Sequence, residues 1–334
     1  MPEQTGGAAR PLLWGNLLHL SYNMWNDHVR TSADDPHLLY DPALRFDESL
    51  WNDLLQQMAQ AGMNLVVLDL GDGVRYESHP EIAVKNAWTP EKLKSELAKM
   101  RQMGLEPIPK LNFSTAHDAW LAEYSRMVST PKYYEVCRDL IAEVLALFGT
   151  PRFFHLGMDE ETAGHQRHYE YMQVRQHDLW WRDLFFYIQE VEKGGSRAWV
   201  WSDYAWHHPD LFYAKMPKSV VQSNWYYDRN FEIDPAHDTG KPRELGHEQY
   251  HHAYLDLDAR GYEQIPTGSN WSYPDNFEAT VRFCQQHLAP ENLLGFLQAP
   301  WKPTLEASRQ HHTEAIEQVA RAKQAFEAAA TAGR

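Results

Sequence analysis

Two adjacent carboxylates, Asp159 and Glu160, close the string His155-Leu156-Gly157-Met158-Asp159-Glu160-Glu161. Such a pair can divide the work of breaking a glycosidic bond. One acid protonates the leaving oxygen, and the other group stabilises the positive charge growing at the sugar carbon. Further polar and aromatic residues follow short apolar runs. These are Asp69 and Asp72 after Leu65-Val66-Val67-Leu68, His117 after Lys110-Leu111-Asn112-Phe113, and Trp201 with Asp203. Trp225 with Tyr227, Asn270 with Trp271, and finally Trp301 complete the set. Sugar rings present apolar C–H faces that stack on indoles, so carboxylates and tryptophans together suit a carbohydrate substrate. His155 reads equally well as a hydrogen-bonded core histidine and as a site residue. Glu161 reads as the solvated, acidic start of the following helix, favoured there by the helix dipole. Regular pleating would point Asp159 and Glu160 in opposite directions, so both reach one site only if the chain bends or bulges there.

Short β-rich runs alternate with helical periods along the whole chain, and the count reaches eight. The expected strands are 12–18, 64–70, 106–111, 152–158, 198–201, 220–225, 264–269 and 294–298. The helical patterns are 49–61, 90–103, 131–148, 168–192, 274–287 and 305–329, with a short one at 209–214. Thr89-Pro90 and Thr130-Pro131 each supply a cap residue followed by proline at the first helical position, and Gly62 and Gly104 sit where left-handed C-caps belong. Eight such units predict a single-domain (β/α)8 TIM barrel over residues 1–334, with an irregular, His-rich insertion near 228–254; a doubly wound open sheet is the competing architecture. In such a barrel the site lies at the C-terminal strand ends, where the polar residues named above cluster.

The 334 residues include 13 Trp and 17 Tyr, more than packing alone requires. A formal net charge of -15 and the lack of a basic stripe argue against nucleic acid as a partner. The run Leu12–Leu20 is broken by Asn16 and His19, so no membrane span is expected. The opening MPEQTGGAARP lacks a charged stretch followed by an apolar one. The expectation is therefore a cytoplasmic protein, or a secreted or periplasmic one if a leader has been removed. Cys137 and Cys284 read as buried packing residues. His207-His208, His251-His252 and His311-His312 lack the spacing of a helical zinc site, and no cofactor motif is present. No metal or cofactor is expected; the one competing metal reading is an ion held by Asp69, His117 and Asp159.

The string His155-Leu156-Gly157-Met158-Asp159-Glu160 resembles the H-x-G-x-D-E signature of glycoside hydrolase family 20, the β-N-acetylhexosaminidases. Pro107 to His117 is similar to the family's strand-three stretch, and Trp201, Trp225 and the segment Gly295 to Trp301 resemble its later tryptophan positions. The resemblance implies a retaining exo-glycosidase that removes a terminal β-linked N-acetylhexosamine. Glu160 would be the general acid/base, and Asp159 would orient the substrate's 2-acetamido group, the nucleophile. Trp201, Trp225 and Trp301 would wall the sugar. The chain departs from the pattern in three places. It reads Trp301-Lys302-Pro303 where the family has Trp-x-Glu, has no strand-one arginine, and reads Asn270-Trp271-Ser272-Tyr273 for Tyr-x-Asp. Asp69, Asp72 or Asp203 would then hold sugar hydroxyls, and a related β-N-acetylgalactosaminidase family is an alternative. The residues alone also leave open a glycosidase with two enzyme carboxylates, Asp203 or Asp69 opposing Glu160, and a non-catalytic carbohydrate-binding barrel.

Overall fold

In the computed structural model, residues 11–29 and 38–332 are described. The opening segment discussed above falls largely outside them. Eight strands form one parallel sheet: β1 Leu13–His19, β2 Leu65–Asp69, β3 Glu106–Lys110, β4 Phe153–His155, β5 Arg197–Trp201, β6 Val221–Ser223, β7 Thr267–Gly268 and β8 Gly295–Gln298. Their order is β6-β5-β4-β3-β2-β1-β8-β7. The last seam, between β6 and β7, is closed by bridges pairing Gln222 with Gln264 and Trp225 with Thr267. The Thr267 N–H donates to the Asn224 carbonyl at 2.9 Å across it. The result is a (β/α)8 barrel, as the alternating pattern predicts; the open-sheet alternative fails at this seam.

The outer helices are α1 Glu48–Gln60, α2 Pro90–Gln102, α3 Pro131–Phe148, α4 Asp178–Lys193, α5 Tyr204–His207, α6 Pro209–Lys215, α7 His252–Ala259, α8 Asn276–His287 and α9 Arg309–Ala332. The predicted caps form: Thr89 accepts from the Lys92 N–H and Thr130 from the Tyr133 N–H, each ahead of its proline. Two expected boundaries move. α4 starts at Asp178 rather than at His168, because residues 161–177 form an irregular segment tied down by the buried side chains of Gln166 and Arg175. The insertion near 228–254 gives way to α7 at His252.

Strand periodicity sorts side chains into two compartments. Outward-facing residues such as Trp14, Val66, Leu68, Phe154, Val200 and Phe296 join the helices in the larger core. Inward-facing Leu17, Leu65, Val67, Ile108, Phe153, Trp199 and Val221 fill the lower barrel. Above them a polar layer runs across four neighbouring strands, with His19 beside Asp69, Asp69 beside Lys110, and Lys110 beside His155. All four are buried. Lys110 Nζ donates to Asp69 Oδ2 at 2.5 Å, and His19 Nδ1 lies 3.3 Å from the same oxygen. A lysine this deep is tolerated because a carboxylate meets it directly.

Candidate active site

The site is built on the way β4 ends. After His155 the backbone enters left-handed conformations at Gly157 (φ 70°), Met158 (φ 76°) and Glu160 (φ 53°). Only glycine fits at 157, since a Cβ there would lie 1.9 Å from Asn112 Oδ1. Non-glycine residues pay about 1–2 kcal/mol each for this conformation, so neighbouring groups must hold it. Asn112, at the end of β3, does so from both ends of its amide: Oδ1 accepts from the Met158 and Ser114 N–H groups, and Nδ2 donates to Asp159 Oδ1 at 2.9 Å. The Ser114 hydroxyl donates to the Asp159 carbonyl at 2.5 Å. From β5's end, Asp203 Oδ2 accepts the Glu160 N–H at 2.9 Å.

This bend delivers both carboxylates to one histidine. His117 Nε2 lies 3.3 Å from Asp159 Oδ2 and 3.3 Å from Glu160 Oε2. Burial works against charge on His117, but the two carboxylates outweigh it and push the imidazole up to about 10. Burial would likewise raise Asp159, yet His117, Lys110 and Asn112 hold its carboxyl well below the usual carboxylate range. Asp203 goes the other way: burial, followed by the charges of Asp159 and Glu160, lifts it well above that range. Glu160 is the more open of the pair, its side chain 29% exposed against 8% for Asp159. His165, on the segment after β4, approaches Glu160 Oε1 at 3.4 Å.

Aromatic rings line the same end of the barrel. Trp201 lies flush with the floor, 1% exposed, its ring centroid 4.3 Å from His155 and 5.9 Å from Trp301. Trp301, half-buried and itself left-handed at φ 51°, donates its Nε1–H to the Tyr227 hydroxyl at 2.9 Å. Tyr227 packs on Trp225 with centroids 5.0 Å apart. Trp25, from the loop after β1, stands 5.8 Å from the His117 ring.

Asp159, Glu160, His117 and Asp203 therefore meet, with Trp201, Trp225, Tyr227 and Trp301 around them. Other residues expected at the substrate are placed elsewhere. Asp69 is committed to Lys110 in the buried layer. Asp72 is buried and bonded to the Ser21 hydroxyl and the Asn23 amide. His155 is fully buried, its Nδ1 accepting from the Gly157 N–H at 3.0 Å, which makes it a support for the bend; burial holds the ring neutral. Asn270 donates to the His311 carbonyl, and Trp271 is 49% exposed on the outer rim under Lys302.

Glu161 corrects the sequence reading. It is a buried anchor, not a solvated helix start: Arg175 reaches its Oε1 at 2.7 Å and Asp183 at 3.1 Å, and donates to the Phe113 carbonyl at 2.6 Å. A buried guanidinium thus ties the ends of β3 and β4 to α4. Sequence reasoning also passed over Trp25, Asn112 and His165. Asn112 alone carried a signal, as a polar residue ending an apolar strand.

Among the described residues, His117, Asp159 and Glu160 offer ligand atoms within 4.8 Å of one another and are the group able to hold a metal ion. Asp69, part of the competing metal reading, is not in it. A cation held there would have to displace the proton that the neighbouring carboxylates favour on His117. His251, His311 and His312 each bond a backbone carbonyl, whereas His207 and His208 are exposed. Cys137 and Cys284 are buried and unpaired, as expected. No helix among the described residues is long and apolar enough to cross a membrane.

No family model matches the sequence, and no curated protein matches it. Solved structures do match in fold. The chain is similar to the GH20 exo-β-N-acetylglucosaminidase of Vibrio harveyi in complex with N-acetylglucosamine, at 15% identity and TM-score 0.61, covering 92% of this chain and 54% of that one. The β-N-acetylhexosaminidase of Bacteroides fragilis follows at 13% identity and TM-score 0.61, covering 91% and 65%. The GH20 β-N-acetylhexosaminidase of Streptomyces coelicolor aligns at 12% identity and TM-score 0.60, covering 92% and 64%. The chain thus spans a little over half to under two thirds of these proteins' lengths. Its fold is a GH20-like (β/α)8 barrel.

Proposed function

We propose that the protein is a retaining exo-glycosidase that removes a terminal β-linked N-acetylhexosamine with the help of the substrate's own acetamido group. The observation that carries this reading is the bend after β4. It brings Asp159, buried and held charged, beside Glu160, which is open enough to meet a leaving group. The acetamido carbonyl oxygen attacks the anomeric carbon as the glycosidic C–O bond breaks. The leaving oxygen takes the electron pair and a proton from Glu160. Asp159 accepts the acetamido N–H and stabilises the positive charge of the cyclic intermediate. Water then gives a proton to Glu160 and attacks the same carbon, which restores the acetamido group with net retention. Trp201, Trp225 and Trp301 wall the ring, and the Tyr227 hydroxyl is held beside it. The structures it resembles are those of β-N-acetylglucosaminidases and β-N-acetylhexosaminidases, which favours this substrate class.

Asp203 supports the reading by its state. A second-carboxylate nucleophile must be ionised, whereas burial, followed by the charges of Asp159 and Glu160, raises the Asp203 carboxyl well above the usual range and disfavours its charged form.

The test is hydrolysis of nitrophenyl β-GlcNAc, β-GalNAc, β-glucoside and β-galactoside. Activity confined to the acetamido sugars is expected, unchanged by a chelator. Glu160→Gln and Asp159→Asn should each lower kcat by roughly 10²–10⁴-fold. Cleavage of plain glucosides, or loss of activity on metal removal, would overturn substrate assistance.

A further inference from the structure

We propose that Asp203 is a positioning residue for Glu160: its carboxyl oxygen Oδ2 accepts the Glu160 N–H and so holds that residue in the left-handed turn that directs its side chain to His117. This rests on the reading of Glu160 as the acid/base. Three observations meet here. The hydrogen bond is 2.9 Å long, and it falls on the one backbone donor of a residue at φ 53°. Asp203 is buried, 8% exposed, so the bond is shielded from competing water. And the platform under Asp203 is rigid: the Ser202 N–H donates to the Ser223 carbonyl at 3.1 Å and its hydroxyl to Gln222 Oε1 at 3.1 Å, fixing β5's end to β6.

The bond is not needed to hold the sheet together. β4 is already joined to β5 by Leu156 N–H to the Trp199 carbonyl at 2.8 Å and by Trp201 N–H to the Gly157 carbonyl at 3.0 Å. What the Asp203 bond adds acts on Glu160 alone. The other oxygen of Asp203, Oδ1, is buried and has no hydrogen-bond partner among the described residues. A protonated carboxyl can place its hydroxyl there while Oδ2 accepts the amide, without setting a third negative charge beside Asp159 and Glu160. An asparagine side chain offers the same arrangement, an accepting oxygen and a neutral donor, and alanine offers neither.

The test compares Asp203→Asn and Asp203→Ala in the full chain, with Asp203→Leu, which has the same branched heavy-atom layout as aspartate though a larger volume, as a second variant without an acceptor should alanine fail to fold. On an aryl β-N-acetylglucosaminide, Asp203→Ala should lower kcat by about 10–100-fold and leave KM within about threefold, while Asp203→Asn stays within about threefold of wild type in both. A residue that acts only through Glu160 adds no further loss in a Glu160→Gln background. Hydrogen exchange at the Glu160 amide, read without substrate, should quicken by about tenfold or more in the alanine or leucine variant and not in Asp203→Asn. Unchanged exchange at that amide would overturn the proposal, as would an asparagine variant as impaired as alanine, or losses that multiply with Glu160→Gln. If the wild type cleaves no glycoside, the function reading fails, and the exchange measurement still decides whether Asp203 clamps Glu160.

Discussion

Individual groups at the barrel mouth are tuned by what surrounds them more than by their own type. Asp69, Asp72, Asp159 and Asp203 are four buried aspartates with different fates: one is neutralised by Lys110, one is charged beside His117, and two are lifted by burial. Asp72 gives a clean prediction. Burial raises its carboxyl from 3.8 to about 7 in the folded protein. The folded state therefore binds that proton more tightly than the unfolded chain does. The resulting stability is complete below about pH 4 and is lost as the pH rises through about 7. Asp72→Asn keeps the shape and removes the titration, so its stability relative to wild type should grow between pH 4 and pH 8 by roughly 3–4 kcal/mol. Thermal melts of both proteins across that window check it; parallel curves would refute it. At this scale the sequence displayed the acids but not their states, since each partner lies 40 or more residues away, as with Lys110 for Asp69 and Ser21 and Asn23 for Asp72.

Elements matter here through their ends. The alternation of apolar runs, the Thr-Pro caps and the glycines after α1 and α2 marked most strands and helices to within a few residues, because these signals are local. The turn after β4 was legible only in part. The pleat showed that a bend was required, and Gly157 stood where one was possible, yet nothing nearby in sequence revealed that Asn112 and Asp203 hold it. Gly157→Ala should therefore be far more damaging than an ordinary glycine substitution. Its backbone is left-handed and the added methyl would collide with Asn112 Oδ1. A loss of about 2 kcal/mol or more is expected in a denaturant titration, with glycosidase activity falling by at least about tenfold as Asp159 and Glu160 shift. Wild-type stability and activity in this variant would show that the bend is unimportant. The start of α4 misled for a related reason: its helical periodicity continues back to His168, but burial of Arg175 against Glu161 and Asp183 outweighs local propensity.

As a whole molecule the protein is a barrel whose closing seam is its thinnest, β6 and β7 meeting through isolated bridges. α9 packs instead across β1 and β8. Its Gln318 accepts from Gln298 on β8 at 2.9 Å, and Phe326 packs on Trp14 and Phe296 from β1 and β8. A closed sheet with one shared interior cannot release a single unit cheaply, so the chain should unfold as one cooperative domain. Calorimetry should give one transition whose van't Hoff and calorimetric enthalpies agree, and removal of residues 309–334 should abolish it. Two separated transitions would instead divide the chain into domains.

The sequence by itself determined the barrel, because strand and helix periods and their stop signals are local properties that sum to one closed arrangement. It also determined where chemistry was to be sought, because polar residues ending apolar strands must gather at one rim. Only the tertiary structure decided which of those residues meet. It drew Asp69, Asp72 and His155 into the interior, buried Glu161 on Arg175, and turned Asp159 and Glu160 together toward His117. Each of those outcomes depends on a hydrogen bond or ion pair formed between strands and loops brought together only when the barrel closes.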